Sequence, residues 1–169
     1  MEEKKSLGAK NILVIVLVLL IFAAGFFVIS HLTGSVKLSS DEDLSAALQQ
    51  AVMSEQTPQV RKTDLTDECL AVLFDAGDDK NDLVLFVPDW LFHDRWCYLD
   101  AVQADQDVTV YRNLLGTQQD QKTLVVVFGQ SDEPVTVTAG ETQQTVSPDE
   151  NGYVLAQFRV PGDVTPVLT

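Results

Sequence analysis

The chain has 169 residues, with 11 Lys and Arg against 25 Asp and Glu, a net charge of −14. Three Lys and two Glu lie before residue 33, so the remaining 137 residues carry eight basic against twenty-three acidic side chains, a net of −15. That length suffices for one domain with its own core, and that charge repels nucleic acid and anionic lipid heads.

Residues Ile12 to Ile29 read ILVIVLVLLIFAAGFFVI, without a charge or a proline. As a helix these eighteen residues would span roughly 27 Å, close to the hydrocarbon thickness of a bilayer at about 30 Å. Fifteen of the eighteen are Ile, Leu, Val or Phe, which favours insertion by about 5 to 9 kcal/mol. No polar face is visible, as a soluble core helix of this length would show. The reading is therefore a cytoplasmic tail over 1–11, a transmembrane anchor over 12–32 that meets the lipid bilayer through Ile12–Ile29, and a polar linker over 33–39. Lys4, Lys5 and Lys10 precede the span and only Lys37 follows closely, so the positive-inside rule puts the N-terminus in the cytoplasm and the rest of the chain outside. A cleavable signal peptide is the rival reading, but Phe26 to Leu32 offers no small-residue cleavage site. His31 falls at the interface.

Ser40 and Asp43 have capping-box spacing, and Asp41, Glu42 and Asp43 suit the positive end of a helix. Leu44, Leu48 and Val52, with Ala47 and Ala51, then recur on one face, predicting an amphipathic helix over 41–54 that covers a sheet. Gln56-Thr57-Pro58 stops it.

Strand signals follow. Cys69–Phe74 and Leu83–Val87 read as a hairpin around the acidic loop Asp75-Ala76-Gly77-Asp78-Asp79. Arg95–Val102 and Asp107–Tyr111 come next, the latter broken at Leu114-Leu115-Gly116. Thr123–Phe128 (TLVVVF) is uninterruptedly apolar, as in a central strand covered on both faces, with Gly129 as its end. Val135–Thr138 and Thr142–Val146 are half polar. Asn151-Gly152 signals a hairpin turn. Tyr153–Val160 alternates, with Val154, Ala156, Phe158 and Val160 inward and Leu155 as the exception. The fold expected over 40–169 is mainly β, an antiparallel meander, sandwich or partly open barrel of about seven or eight strands after one short helix.

The chemistry-bearing candidates are few. Cys69 and Cys97, an even pair outside the cytoplasm, are expected to form a disulfide, which would stabilise by roughly 3 to 4 kcal/mol; the alternative is two buried thiols that never meet. Two cysteines and two histidines do not make a zinc site. Asp89, His93 and Asp94 have metal-ligand chemistry but sit in an aromatic, strand-rich context. Asp75, Asp78, Asp79 and Asp82 lack the EF-hand spacing. No nucleophile-elbow, zincin, P-loop or dinucleotide motif is present, so no cofactor and no catalytic residue is expected.

Both tryptophans lie in Pro88–Trp96 (PDWLFHDRW). Trp and Arg are enriched where proteins bind others, so Trp90, Phe92, His93, Arg95 and Trp96 form the candidate protein-binding loop. Its structural alternative is a loop folded onto the end of the sheet, with Arg95 paired to a carboxylate. The order of short tail, anchor, amphipathic helix and strands resembles small anchored proteins of Gram-positive bacteria that have no assigned function. Leu91-Phe92 followed by Arg95-Trp96, and Leu124–Gly129 (LVVVFG), resemble segments of such chains. The resemblance implies no catalytic or binding residues. The function expected is a tethered extracytoplasmic non-enzymatic module that contacts another envelope protein. The alternative is an enzyme or ligand-binding domain using scattered carboxylates, which requires a concave pocket holding two of them or His93.

Overall fold

The computed structural model describes residues 9–53, 57–77, 81–117 and 119–169, with side chains from Ile12 onward. The helices are α1 (Ala9–Gly34) and α2 (Asp41–Val52). The strands are β1 (Ser35–Val36), β2 (Gln59–Leu65), β3 (Leu70–Asp75), β4 (Asp82–Pro88), β5 (Trp96–Val102), β6 (Val108–Leu115), β7 (Lys122–Gln130), β8 (Val135–Ala139), β9 (Thr142–Val146), β10 (Tyr153–Pro161) and β11 (Val167–Leu168). The mainly β, antiparallel expectation holds; two of the strands beyond those expected are only two residues long.

The strands form three sheets, ordered β1-β5-β4-β3-β2, β10-β7-β6 and β11-β8-β9. They stack as layers. Ala47 and Leu48 of α2 bury against Leu70, Val72, Phe74, Val84 and Phe86 on one face of the five-stranded sheet. Its other face, through Ala71, Leu73, Leu83 and Leu85, packs on Leu124, Val126, Phe128 and Leu155 of the second sheet. The far face of that sheet, through Val125, Val127, Val154 and Val160, packs on Val137, Ala139 and Val146 of the third. Thus β3, β4 and β7 are apolar without alternation because both their faces are covered. β10 is covered on both faces only in part: Val154, Leu155 and Val160 are buried, whereas Gln157 and Arg159 are partly exposed. Leu155 is no exception to a pattern; it serves the other interface.

Polar bonds cross the layers as well. Tyr111 Oη of β6 donates to Asp100 of β5 at 2.8 Å, and Gln157 donates from its backbone to Asp64 at 2.9 Å and from its side chain to the Asp64 and Cys69 carbonyls at 2.8 and 3.1 Å.

The start of α2 follows the expected cap: Asp43 N donates to Ser40 Oγ at 3.1 Å, while Asp43 Oδ2 accepts from Ser39 N. Met53, in the left-handed region, ends it. Two expectations at glycines change. Gly129 does not end its strand but sits within β7 at φ +136, where a Cβ would lie 2.0 Å from the Asp107 carbonyl. Asn151-Gly152 does form a tight turn around Asp149, but the strands beside it are not paired: β9 stays with β8, and β10 crosses to β7. The turn moves the chain between layers.

The linker expected over 33–39 is replaced at its beginning by ordered structure. Thr33 and Gly34 complete α1, and Ser35-Val36 pairs antiparallel with Trp96-Cys97. The apolar helix therefore runs directly into the edge of the main sheet.

Candidate functional site at the helix–domain junction

An unusual polar cluster lies where α1 meets the lobe, and Asp89 is its centre. Asp89 follows Pro88 at the end of β4 and is 1 % exposed. Its Oδ1 accepts from the backbone N–H groups of Leu91 and Phe92 at 2.7 and 3.0 Å, the local turn that Asp favours. Its Oδ2 accepts from His31 Nδ1 at 3.2 Å and from the Cys97 thiol at 3.5 Å. Burial pushes this carboxyl's pKa up, but the two N–H groups, His31 and Cys97 outweigh it and hold the pKa well below the usual carboxylate range. An ionised carboxylate only accepts, so Nδ1 is the donor in the His31 contact.

Arg95 supplies the second half. The last carbonyls of a helix have no N–H partner within it. Here Arg95 Nη2 donates to the Leu32 carbonyl at 2.9 Å, Nε donates to Ser35 Oγ at 2.7 Å, and Nη2 also reaches the Ser35 carbonyl. Ser35 Oγ in turn donates to the His31 carbonyl at 2.6 Å. A guanidinium at the negative end of a helix is also favoured by the aligned peptide dipoles. The loop that carries both residues is closed on itself by Asp89 N to the Arg95 carbonyl at 2.8 Å and Arg95 N to the Phe92 carbonyl at 3.0 Å.

The remaining loop residues divide by role. Trp90 is 68 % exposed, yet its ring lies 5.8 Å from that of Phe27 and 5.3 Å, edge-on, from that of His31. Trp96 packs beneath α2 with the cluster around Phe86. Phe92 is half-buried, and His93 is exposed. Asp94 pairs with Lys37 at 2.7 Å across the surface, an exposed pair of small energetic weight. So Trp90 and Arg95 of the expected loop, with Asp89 beside them, grip the apolar helix, and Trp96 packs partly buried against the cluster under α2. Arg95 bonds carbonyls and a hydroxyl, not the carboxylate expected for it.

The expected Cys69–Cys97 disulfide is corrected: both cysteines are free. Cys69 immediately precedes β3 and Cys97 lies on β5, with β4 between them. Two strand spacings separate the backbones by about 9.6 Å, beyond the roughly 4.4 to 6.8 Å that a disulfide bridges. Cys69 is enclosed between the sheets. Burial, with Asp64 nearby, raises its thiol to about 11, and burial with Asp89 raises that of Cys97.

Among the described residues no cluster of three His, Cys, Asp or Glu is arranged to hold a metal ion. Asp75 accepts from Arg61 at 2.8 Å and from Gly77 N, and Asp82 accepts from Ala104 N; Asp78 and Asp79 lie outside the described residues. An open cleft is lined by Asp67, Glu68, Gln157 and Arg159, but its two carboxylates are exposed and Glu68 is paired with Arg159.

Sequence reasoning missed Ser35, Leu32 and Phe27 as members of the junction, and weighed Asp89 only as a metal ligand. The signals were the Pro-Asp turn at 88–89 and a histidine at the end of an apolar run, but their meeting across 58 residues is tertiary. Compared with protein-family models, curated proteins and solved structures, the chain matches none.

Proposed function

We propose that the protein is a membrane-tethered, extracytoplasmic, non-enzymatic interaction module, with α1 in the bilayer and the layered lobe at its outer face. The observation that carries this is the surface of α1. One helix among the described residues is long and apolar enough to cross a membrane, and its residues from Ile12 to Ser30 are exposed on every side. Water in contact with such a surface is strongly disfavoured, and lipid removes the penalty. The Lys4, Lys5 and Lys10 flank supports an N-terminus in the cytoplasm. The junction supports an anchor that is retained. Removing residues up to about 33 would strip His31 from the buried Asp89 and the Leu32 carbonyl from Arg95.

The partner proposed is another protein of the cell envelope. No specific observation favours the carboxylate-enzyme alternative: the described clefts do not enclose two desolvated carboxylates, and His93 is exposed. The test is protease treatment of intact spheroplasts, followed by alkaline extraction of the membranes. The reading requires that the lobe be digested from outside and that an α1-containing fragment stay with the lipid. A lobe protected until lysis, or α1 released by alkali, overturns it. Crosslinking in the same cells that yields no protein adduct overturns the partner.

A further inference from the structure

We propose that the exposed indole of Trp90 enters the outer leaflet beside α1, so that the lobe rests on the bilayer in one orientation and does not swing on a stalk. This rests on the reading that α1 spans the membrane. The apolar run ends at Ile29, and Phe27 lies about 3 Å inside that end at 1.5 Å per residue. The Trp90 ring is 5.8 Å from Phe27 and 5.3 Å from His31, which puts it level with the last apolar turn. A side chain held at that depth meets the lipid that surrounds the helix.

The placement is built and not incidental. The residue before Trp90 is nearly inaccessible and its carboxylate is locked by four hydrogen bonds, whereas Trp90 itself is 68 % exposed. Such exposure of a large apolar ring is unfavourable in water and suits the headgroup boundary, where an indole has apolar body and polar N–H both satisfied. A groove opens at the same helix end. Thr33 and Gly34 line it with Val36, Met53 and Tyr98, of which Met53 is 91 % and Tyr98 48 % exposed. The lobe's net charge opposes anionic headgroups, so the lipid expected is zwitterionic.

The test uses the full-length chain in phosphatidylcholine vesicles. With only two tryptophans in the protein, Trp96→Phe leaves Trp90 as the sole indole. Because Trp96 packs against the cluster under α2, the difference between wild type and Trp90→Phe provides the same signal without touching it. Expected are blue-shifted emission, strong quenching by lipids brominated near the carbonyl end, weaker quenching by lipids brominated near the methyl end, and poor quenching by aqueous iodide. Iodide quenching without bromine quenching, in protein that still floats with the vesicles, overturns the proposal and leaves the anchor standing. Shielding that appears only at high protein-to-lipid ratio assigns Trp90 to a second copy and also overturns it. Loss of flotation overturns the anchor and the proposal together.

Discussion

Replacing Arg95 by Ala removes the donor that holds the end of α1 to the sheet. Ser35 is 3 % exposed, so its hydroxyl and carbonyl lose partners that water does not readily replace. The Leu32 carbonyl is exposed and regains water at little cost. Hydrogen bonds to charged groups contribute about 1.5 to 3 kcal/mol each, so two buried ones amount to roughly 3 to 6. Releasing the ordered arginine returns up to about 2 kcal/mol of side-chain entropy. With that return taken in full, the net loss is about 1 to 4 kcal/mol, confined to the junction. The assay is hydrogen exchange on the full-length chain in lipid nanodiscs. At 1.4 kcal/mol per tenfold, exchange in segments covering Ser35-Val36 and Trp96-Cys97 is expected to quicken by about 5- to 700-fold. Exchange in β7, which shares no partner with Arg95, stays unchanged. Unchanged protection at Ser35-Val36 would refute the claim that Arg95 closes the helix onto the sheet. A uniform loss across β7 would refute its confinement to the junction. Arg95→Lys keeps the charge but not the fork, and is expected to fall between the two.

Other outcomes follow from the same geometry. Leu48→Ala empties a fully buried site under α2 and is expected to lower stability by about 2 to 5 kcal/mol in urea unfolding; a loss below about 1 would mean that α2 does not cover the sheet. Gly129→Ala forces a Cβ onto the Asp107 backbone at positive φ, so a destabilisation of at least about 2 kcal/mol is expected by the same assay, and a neutral result would contradict the close approach of Gly129 to Asp107. Asp89 has a folded-state pKa below its unfolded one, so its carboxylate stabilises the junction fully above about pH 4, and that stability is lost as pH falls further. Protection of Ser35-Val36 should therefore drop on acidification below about pH 4 in the wild type and respond less in Asp89→Asn; protection that rises with acid would show the sign to be wrong. Both cysteines should titrate as free thiols after unfolding, and in the native protein Cys69, raised to about 11, should alkylate very slowly at pH 8. A mass showing an intact disulfide would overturn the placement of β4 between them.

Much of the architecture was legible because it is written in local periodicity. The run Ile12–Ile29, the Ser40 cap with its Leu44/Leu48/Val52 stripe, and the bounded apolar segments at 69–74, 83–87 and 123–128 each declare their element without reference to the rest of the chain. One hairpin, β3–β4, could be read from its turn, whereas the Asn151-Gly152 signal marked a crossing between layers. The strand β2 was not visible, because Gln59–Leu65 is largely polar and is held by pairing with β3. Nor was β1, since two residues carry no period and exist as a strand only by contact with β5.

The candidate site divides in the same way. Its residue types were visible in Pro88–Trp96, but their targets were not. Asp89 reaches His31 across 58 residues and Arg95 reaches Ser35 across 60, and neither pairing leaves a trace in spacing. Sequence by itself determined an apolar helix long enough for a bilayer and an acidic lobe rich in antiparallel strands, because both follow from side-chain hydrophobicity repeated along the chain. Tertiary structure alone decided that the cysteines stand two strands apart, that the sheets stack in three layers, and that the aromatic loop fastens the helix to the lobe. Those outcomes depend on which distant edges pair, and pairing is selected by the packing of whole faces, not by any single segment.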